Sequence, residues 1–293
     1  MKKPIFTGSG VAIVTPFHGQ KVNFEKLGEL IDWQIEQKTD CIVICGTTGE
    51  ASTMPDFEHL ETISFAVNQV AGRVPVVAGT GSNDTHHAVR LSLEAKAHGA
   101  DAILSVTPYY NKTTQEGLVR HFSYIADHVE LPMIMYNVPS RTNLNMNPDT
   151  VCRLATHEYI YGLKECNISQ VGDIISNCPE DFSVYSGEDG LVLPMLSMGG
   201  KGVISVMANI LPTETHEIVA KFFADDILGS RALQLKVLAL VNALFCETSP
   251  IPIKEAMNQM GLDVGACRLP LIEMSEKGRS QLTAELKNLG LIQ

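Results

Sequence analysis

The sequence predicts an α/β fold, a (β/α)8 barrel followed by a helical C-terminal region. Three observations carry the prediction. Eight short β-rich runs recur along the chain, each is followed by a segment of helical character, and run starts advance by about 20 to 33 residues, the length of one βα unit. The runs are VAIVTPF from Val11, CIVICG from Cys41, VPVVAGT from Val74, AILSVTP from Ala102, PMIMYNVP from Pro132, IYGLKEC from Ile160, FSVYSGE from Phe182 and GVISVMA from Gly202. They are continuously apolar and rarely alternate, as expected of parallel strands covered on both faces.

Between the first two runs, Phe24, Leu27, Leu30, Ile31 and Ile35 fall at helical spacing behind Asn23, a capping residue. A later helix carries Ala88, Leu91 and Ala95 and stops at Gly99. A doubly wound sheet is the competing architecture, but it normally carries a phosphate-binding glycine loop leaving an early strand. Gly8 and Gly10 precede a run, Asp84 stands where a third glycine would follow Gly79 and Gly81, and Gly199, Gly200 and Gly202 lead into a strand. The apolar stretch from Leu191 to Leu211 is broken by Pro194, Gly199, Gly200, Lys201 and Gly202, so it reads as two buried elements joined by a turn, not as a membrane helix. After about residue 225 the β-rich runs cease; Leu233, Val237, Leu240 and Leu244 form one helical stripe, and Pro250 and Pro252 break it before another helix. The chain divides accordingly into a barrel over residues 1–225 and a helical region over 226–293.

The 22 Lys and Arg against 33 Asp and Glu leave a net charge of −11, which repels nucleic acid and anionic membranes. The seven cysteines are odd in number, form no C-x-x-C pair and sit mostly in apolar stretches, the pattern of reduced thiols. Lys2 and Lys3 resemble a signal n-region, but Pro4, Gly8 and Gly10 follow and the run Val11 to Val14 is too short for an h-region. A cytoplasmic protein is the expectation. The nine histidines show no metal-ligand spacing, and adjacent His86 and His87 would diverge on a helix. No G-x-S-x-G elbow is present, and Ser186 lacks its flanking pattern. Nothing invokes a metal or an organic cofactor.

In a barrel of this kind function gathers at the C-terminal ends of the strands. There the second run ends in Gly46, Thr47, Thr48, Gly49 and Glu50, the fourth in Thr107, Pro108, Tyr109 and Tyr110, and the fifth in Tyr136 and Asn137 with Arg141 just beyond; the sixth ends at Lys164. Burial at the end of an apolar strand would lower the pKa of Lys164 and leave a neutral amine able to attack a carbonyl; the alternative is a salt bridge to Glu165 or Glu188. Tyr136 lies one strand earlier at nearly the same height, where its phenol could move protons or its ring could simply pack. Thr47 and Thr48 offer hydroxyl and N–H groups to a carboxylate, or form an ordinary glycine-rich turn. Arg141 could grip a second carboxylate or sit in a surface ion pair.

Together, GTTGE from Gly46, TPYYN from Thr107, YNVPSRT from Tyr136 and GLKE from Gly162 resemble the pyruvate-dependent class I aldolase family, and within it the dihydrodipicolinate synthases; the similarity runs through the barrel into the tail. The resemblance implies that Lys164 forms an imine with pyruvate, that Tyr136 transfers protons, and that Thr48 links Tyr136 to Tyr110 in a relay. The enamine would attack aspartate semialdehyde, with Thr47 holding carboxylate, Arg141 receiving the semialdehyde's carboxylate, and Gly187 and Ile204 lining the pyruvate pocket through the backbone. It also implies a homo-oligomer, a tight dimer commonly paired into a tetramer, in which Tyr110 reaches into the neighbouring subunit. N-acetylneuraminate lyase and 2-keto-3-deoxy sugar acid aldolases share the lysine and tyrosine, but in the sialic acid lyase the loop corresponding to YNVPSRT lacks the arginine. A non-catalytic barrel would be expected to lose part of the Lys, Tyr and Thr set, and none is lost. Lysine-inhibited synthases bind lysine at the dimer interface, and of that effector site His59, Asn83 and Tyr109 match. Asp56 stands where such enzymes carry a histidine, Ala51 replaces a serine, and His87 replaces the glutamate that pairs with lysine's amino group. Loss of that countercharge predicts weak or absent inhibition by lysine.

Overall fold

The computed structural model describes residues 1–293. Strands β1 (Gly8–Ala12), β2 (Cys41–Ile44), β3 (Val76–Gly79), β4 (Ala102–Val106), β5 (Met133–Asn137), β6 (Ile160–Glu165), β7 (Ser183–Ser186) and β8 (Gly202–Ser205) form a closed barrel. Every pairing is parallel, each strand lies beside its sequence neighbours, and β8 closes on β1. The helices are α1 (Phe24–Glu36), α2 (Asp56–Val70), α3 (Thr85–Ala97), α4 (Gln115–Val129), α5 (Pro139–Thr142), α6 (Pro148–Ala155), α7 (Val171–Asn177), α8 (Val192–Ser197), α9 (Pro212–Phe223), α10 (Ile227–Leu244), α11 (Ile251–Gln259) and α12 (Glu276–Asn288). The Asn23 side chain caps α1 by accepting from the Lys26 N–H, worth about 1 kcal/mol.

Seven strands fall inside the predicted runs, and the first does not: β1 begins at Gly8, three residues before the apolar run. The reason is steric. Gly8 has φ +129°, and a Cβ there would collide with the Asp40 carboxylate, whose oxygen accepts the Ser9 N–H at 2.7 Å; a Cβ on Gly10 would meet the Phe6 ring at 2.8 Å. Close approach, not β propensity, selects glycine, so the pattern hides the strand's start. The stretch from Leu191 to Leu211 divides as expected into α8 and β8.

Side chains inside the barrel form one cluster that includes Phe6, Val43, Leu104, Ile134, Tyr136, Tyr185 and Ile204. Phe6 stacks on Tyr185 with ring centroids 4.4 Å apart and takes the Tyr185 hydroxyl proton on its carbonyl at 2.8 Å, filling the barrel below the C-terminal face. Two larger clusters lie between the sheet and the helices. Helix α10, with a mean hydropathy of 1.4, is long and apolar enough to cross a membrane on length and composition alone. Here its Val237, Leu240 and Leu244 face is buried in the outer core beside α9 and α12.

A buried ion pair joins this C-terminal region to the barrel. Lys254 on α11 and Glu50, at 2 % and 1 % side-chain exposure, meet at 2.9 Å. The ammonium also donates to the Thr15 and Ala266 carbonyls at 3.1 and 3.0 Å, while the second Glu50 oxygen accepts the Arg268 N–H at 2.8 Å. The Arg268 guanidinium in turn forks onto Glu58 at 2.5 and 2.7 Å and lies 4.1 Å from the Phe17 ring centroid. Removing one partner strands a charge out of water. Lys254→Met is therefore expected to cost about 3–5 kcal/mol of unfolding free energy in urea, and the double change Glu50→Gln/Lys254→Met to cost less than that single change.

Candidate active site

Alternation along a strand sends Lys164 and Tyr136 into the barrel and their successors, Glu165 and Asn137, outward. Tyr136 and Lys164 are direct partners in the β5–β6 register. Lys164 Nζ sits 4.3 Å from the centroid of the Tyr136 ring. Both side chains face a cavity of about 460 Å³ at the C-terminal end of the barrel, together with Thr47, Thr48, Arg141 and Gly187.

Lys164 is 6 % exposed, and no carboxylate lies within ion-pair distance of its amine, so the salt bridge to Glu165 or Glu188 does not form. Burial, the largest influence, lowers its pKa from the ordinary 10.5, against the weaker pull of Asp189 and Glu188 and with some help from Arg141. Burial also raises the Tyr136 phenol well above its usual value, so the tyrosine stays protonated near neutrality. An amine biased toward its neutral form thus faces a phenol that keeps its proton.

Thr48 is buried and Thr47 exposed, and both line the cavity from the turn after β2. The turn is fixed from beneath by the Thr15 hydroxyl, which donates to the Gly49 carbonyl at 2.7 Å, and by the buried Glu50 carboxylate. Arg141, exposed at the rim on α5, makes no ion pair; its Nη2 donates to the Ser249 carbonyl at 3.1 Å. A Cβ on Gly187 would overlap Cys166 Sγ and lie 3.2 Å from Lys164 Cε, so only glycine leaves the amine room. Ile204 is buried in the cluster inside the barrel and does not line the cavity. Tyr110 is not brought to the site within one chain: it is 92 % exposed on a left-handed turn, φ +67°.

Sequence reasoning missed one wall. Phe245, Glu247, Thr248 and Ser249, from the link between α10 and α11, line the cavity beside Arg141. The only local signal was the Pro250 break. Glu188 also lines the cavity, with its pKa raised by burial. Asp189 beneath it holds the Val206 and Met207 N–H groups on one oxygen at 3.1 and 2.8 Å. No three His, Cys, Asp or Glu side chains gather in a way that could ligate a metal.

A second cavity of about 520 Å³ shares Thr47, Tyr136 and Arg141 with the first and contains His59, Tyr109, Asp56 and His87. His59 Nε2 is engaged by the Gly79 carbonyl at 2.8 Å, and Asn83 reaches the cavity only through its amide on the Tyr109 carbonyl at 3.2 Å. The Asp56 carboxylate lies 3.0 Å from His87 Nε2, so the acid and the imidazole at these two positions are engaged with each other.

Residues 5–289 match the model of the dihydrodipicolinate synthetase family. The chain is 61% identical over 292 residues to the 4-hydroxy-tetrahydrodipicolinate synthase of Acetivibrio thermocellus, covering 100% of both chains. A crystal structure of a dihydrodipicolinate synthase superposes with a TM-score of 0.96 at 48% identity, covering 98% of this chain and 100% of that one. The chloride-inhibited dihydrodipicolinate synthase from Acinetobacter baumannii, solved in complex with pyruvate, superposes with a TM-score of 0.95 at 44% identity, covering 98% and 99%. With a barrel of this order, a buried lysine beside a tyrosine, and full-length similarity at this level, the chain belongs to the dihydrodipicolinate synthetase family.

Proposed function

We propose that the protein condenses pyruvate with L-aspartate 4-semialdehyde through an imine on Lys164, giving 4-hydroxy-tetrahydrodipicolinate, the first committed step of the diaminopimelate and lysine pathway. The observation that carries this reading is a buried, unpaired amine facing a cavity beside a protonated phenol. The pyruvate complex of a 44% identical relative supports the first substrate.

The chemistry follows from that geometry. The neutral Lys164 amine adds to the pyruvate ketone, Tyr136 returns a proton to the carbinolamine oxygen, and water leaves as the imine forms. Thr47 and Thr48 offer donors to the pyruvate carboxylate. Loss of a methyl proton gives the enamine, whose carbon attacks the semialdehyde's aldehyde while Arg141 grips its carboxylate. The substrate's own amine then displaces Lys164 from the imine carbon, closing the ring and freeing the enzyme.

Thr48 would pass protons between Tyr136 and a Tyr110 supplied by a second subunit. The exposure of Tyr110 at 92 %, with Phe57 at 73 % and Tyr109 at 39 %, supports a homodimer that covers this surface, commonly as half of a tetramer. The seven free thiols suit the reducing cytoplasm.

Borohydride reduction in the presence of pyruvate is expected to fix one pyruvate-derived adduct on Lys164, found by intact mass and peptide mapping; an unmodified Lys164 in folded protein would overturn the reading. The trapping rate should rise with pH and level off below 10.5, because burial depresses the lysine pKa and only the neutral amine adds.

Arg141→Ala is expected to raise the KM for aspartate semialdehyde at least about tenfold, the worth of a charged hydrogen-bonded contact, and to leave the pyruvate KM within about threefold. Equal effects on both substrates would remove Arg141 from this role.

Lysine is expected to inhibit weakly, because the Asp56 carboxylate in the second cavity is already engaged by His87. Half-maximal inhibition at low lysine concentration, measured in steady-state assays, would contradict this.

A further inference from the structure

The Tyr136–Lys164 alignment is not inherited from a regular ladder. The β5–β6 register shifts between Met133 and Ile134: Met133 faces Ile160 but Ile134 faces Gly162, so β6 carries an extra residue below the site. The pairing above the bulge is therefore offset from the ladder below it, and a slip of one residue there would turn Lys164 or Tyr136 out of the barrel. Immediately above the catalytic pair, on the outer face, Asn137 and Glu165 are partners in the same register.

Glu165 is 1 % exposed and is held entirely by N–H donors. Asn137 Nδ2 donates to both of its oxygens at 2.9 and 3.0 Å, the Asn167 N–H at 2.7 Å and Gln170 Nε2 at 2.8 Å. Asn137 also donates to Asn145 Oδ1 at 2.9 Å and accepts the Met146 N–H at 3.0 Å on its own oxygen. Gln170 closes the ring by donating to the Met146 carbonyl at 3.0 Å and accepting from Asn145 at 2.9 Å. The residues so gripped, Asn145 and Met146, begin three residues after α5, which carries Arg141. A carboxylate buried among neutral amides has no countercharge, and burial raises its pKa to about 7. A pair of apolar side chains would cover this face at lower cost; what they could not do is fix the height of one strand against the next.

Building on the imine mechanism above, we propose that Glu165 is a positioning residue: with Asn137 it locks the upper β5–β6 register, holding Tyr136 against Lys164 and the Arg141 turn over the cavity.

The test uses the full-length protein, with Lys164 trapping in wild type as the reference. Glu165→Gln keeps the shape but replaces one acceptor oxygen with an amide donor that faces other donors. It is expected to fold, to slow imine trapping and kcat at least about tenfold, and to change the pyruvate KM less than about threefold. Asn137→Asp should act alike, and the double variant, which restores a donor opposite an acceptor, should be less impaired than either single change. If Glu165→Gln does not fold, Gln170→Met, which removes one donor and keeps the carboxylate, should slow trapping in the same way. Normal trapping in a folded variant, losses that track the folded fraction alone, or losses that multiply in the double variant would overturn the inference. Absence of a Lys164 adduct in wild type would instead overturn the imine mechanism on which it rests.

Discussion

The active site depends on one buried amine that the fold leaves without a partner. The chain buries two lysines to a similar degree and treats them in opposite ways. Lys254 has a carboxylate and two carbonyls around its ammonium, a fully satisfied charge. Lys164 has an aromatic face and an open cavity. Desolvation lowers the pKa of both, but only at Lys254 is it opposed first and most strongly by a bonded carboxylate. The first lysine stabilises, and the second is available for chemistry.

Everything else at the site serves to keep that amine in place and supplied. The barrel places Tyr136 beside it by strand pairing, glycine at 187 keeps the space above it clear, and the packed cluster around Phe6 and Tyr185 fills the barrel beneath it. The cavity over the amine lies at the face where the loops carrying Thr47, Thr48 and Arg141 meet.

The C-terminal helices are part of this arrangement. The Glu50–Lys254 pair ties the turn bearing Thr47 and Thr48 to α11, and the residues just before α11 form the wall that Arg141 contacts through Ser249. One buried contact therefore ties the turn bearing Thr47 and Thr48 to the segment that walls the cavity beside Arg141. The barrel supplies the reacting groups, and the helical region completes the enclosure.

Much of this could be read from the residues alone. Seven of the strands, the αβ alternation, the cap at Asn23 and the gathering of Lys164, Tyr136, Thr47, Thr48 and Arg141 at strand ends all follow from local periodicity and chain order, because a parallel barrel converts position along the sequence into height and angle. Other features depend on contacts that no local pattern encodes. The start of β1 is hidden by glycines chosen for close approach, and the contact of Arg141 with the 245–249 wall and the Glu50–Lys254 bond join residues 108 and 204 positions apart. The contact between Asp56 and His87 becomes visible only when α2 and α3 are side by side. The sequence by itself determined which groups could react; tertiary structure decided which charges are paired and which are left free, because pairing and burial are set when the barrel closes and distant segments meet.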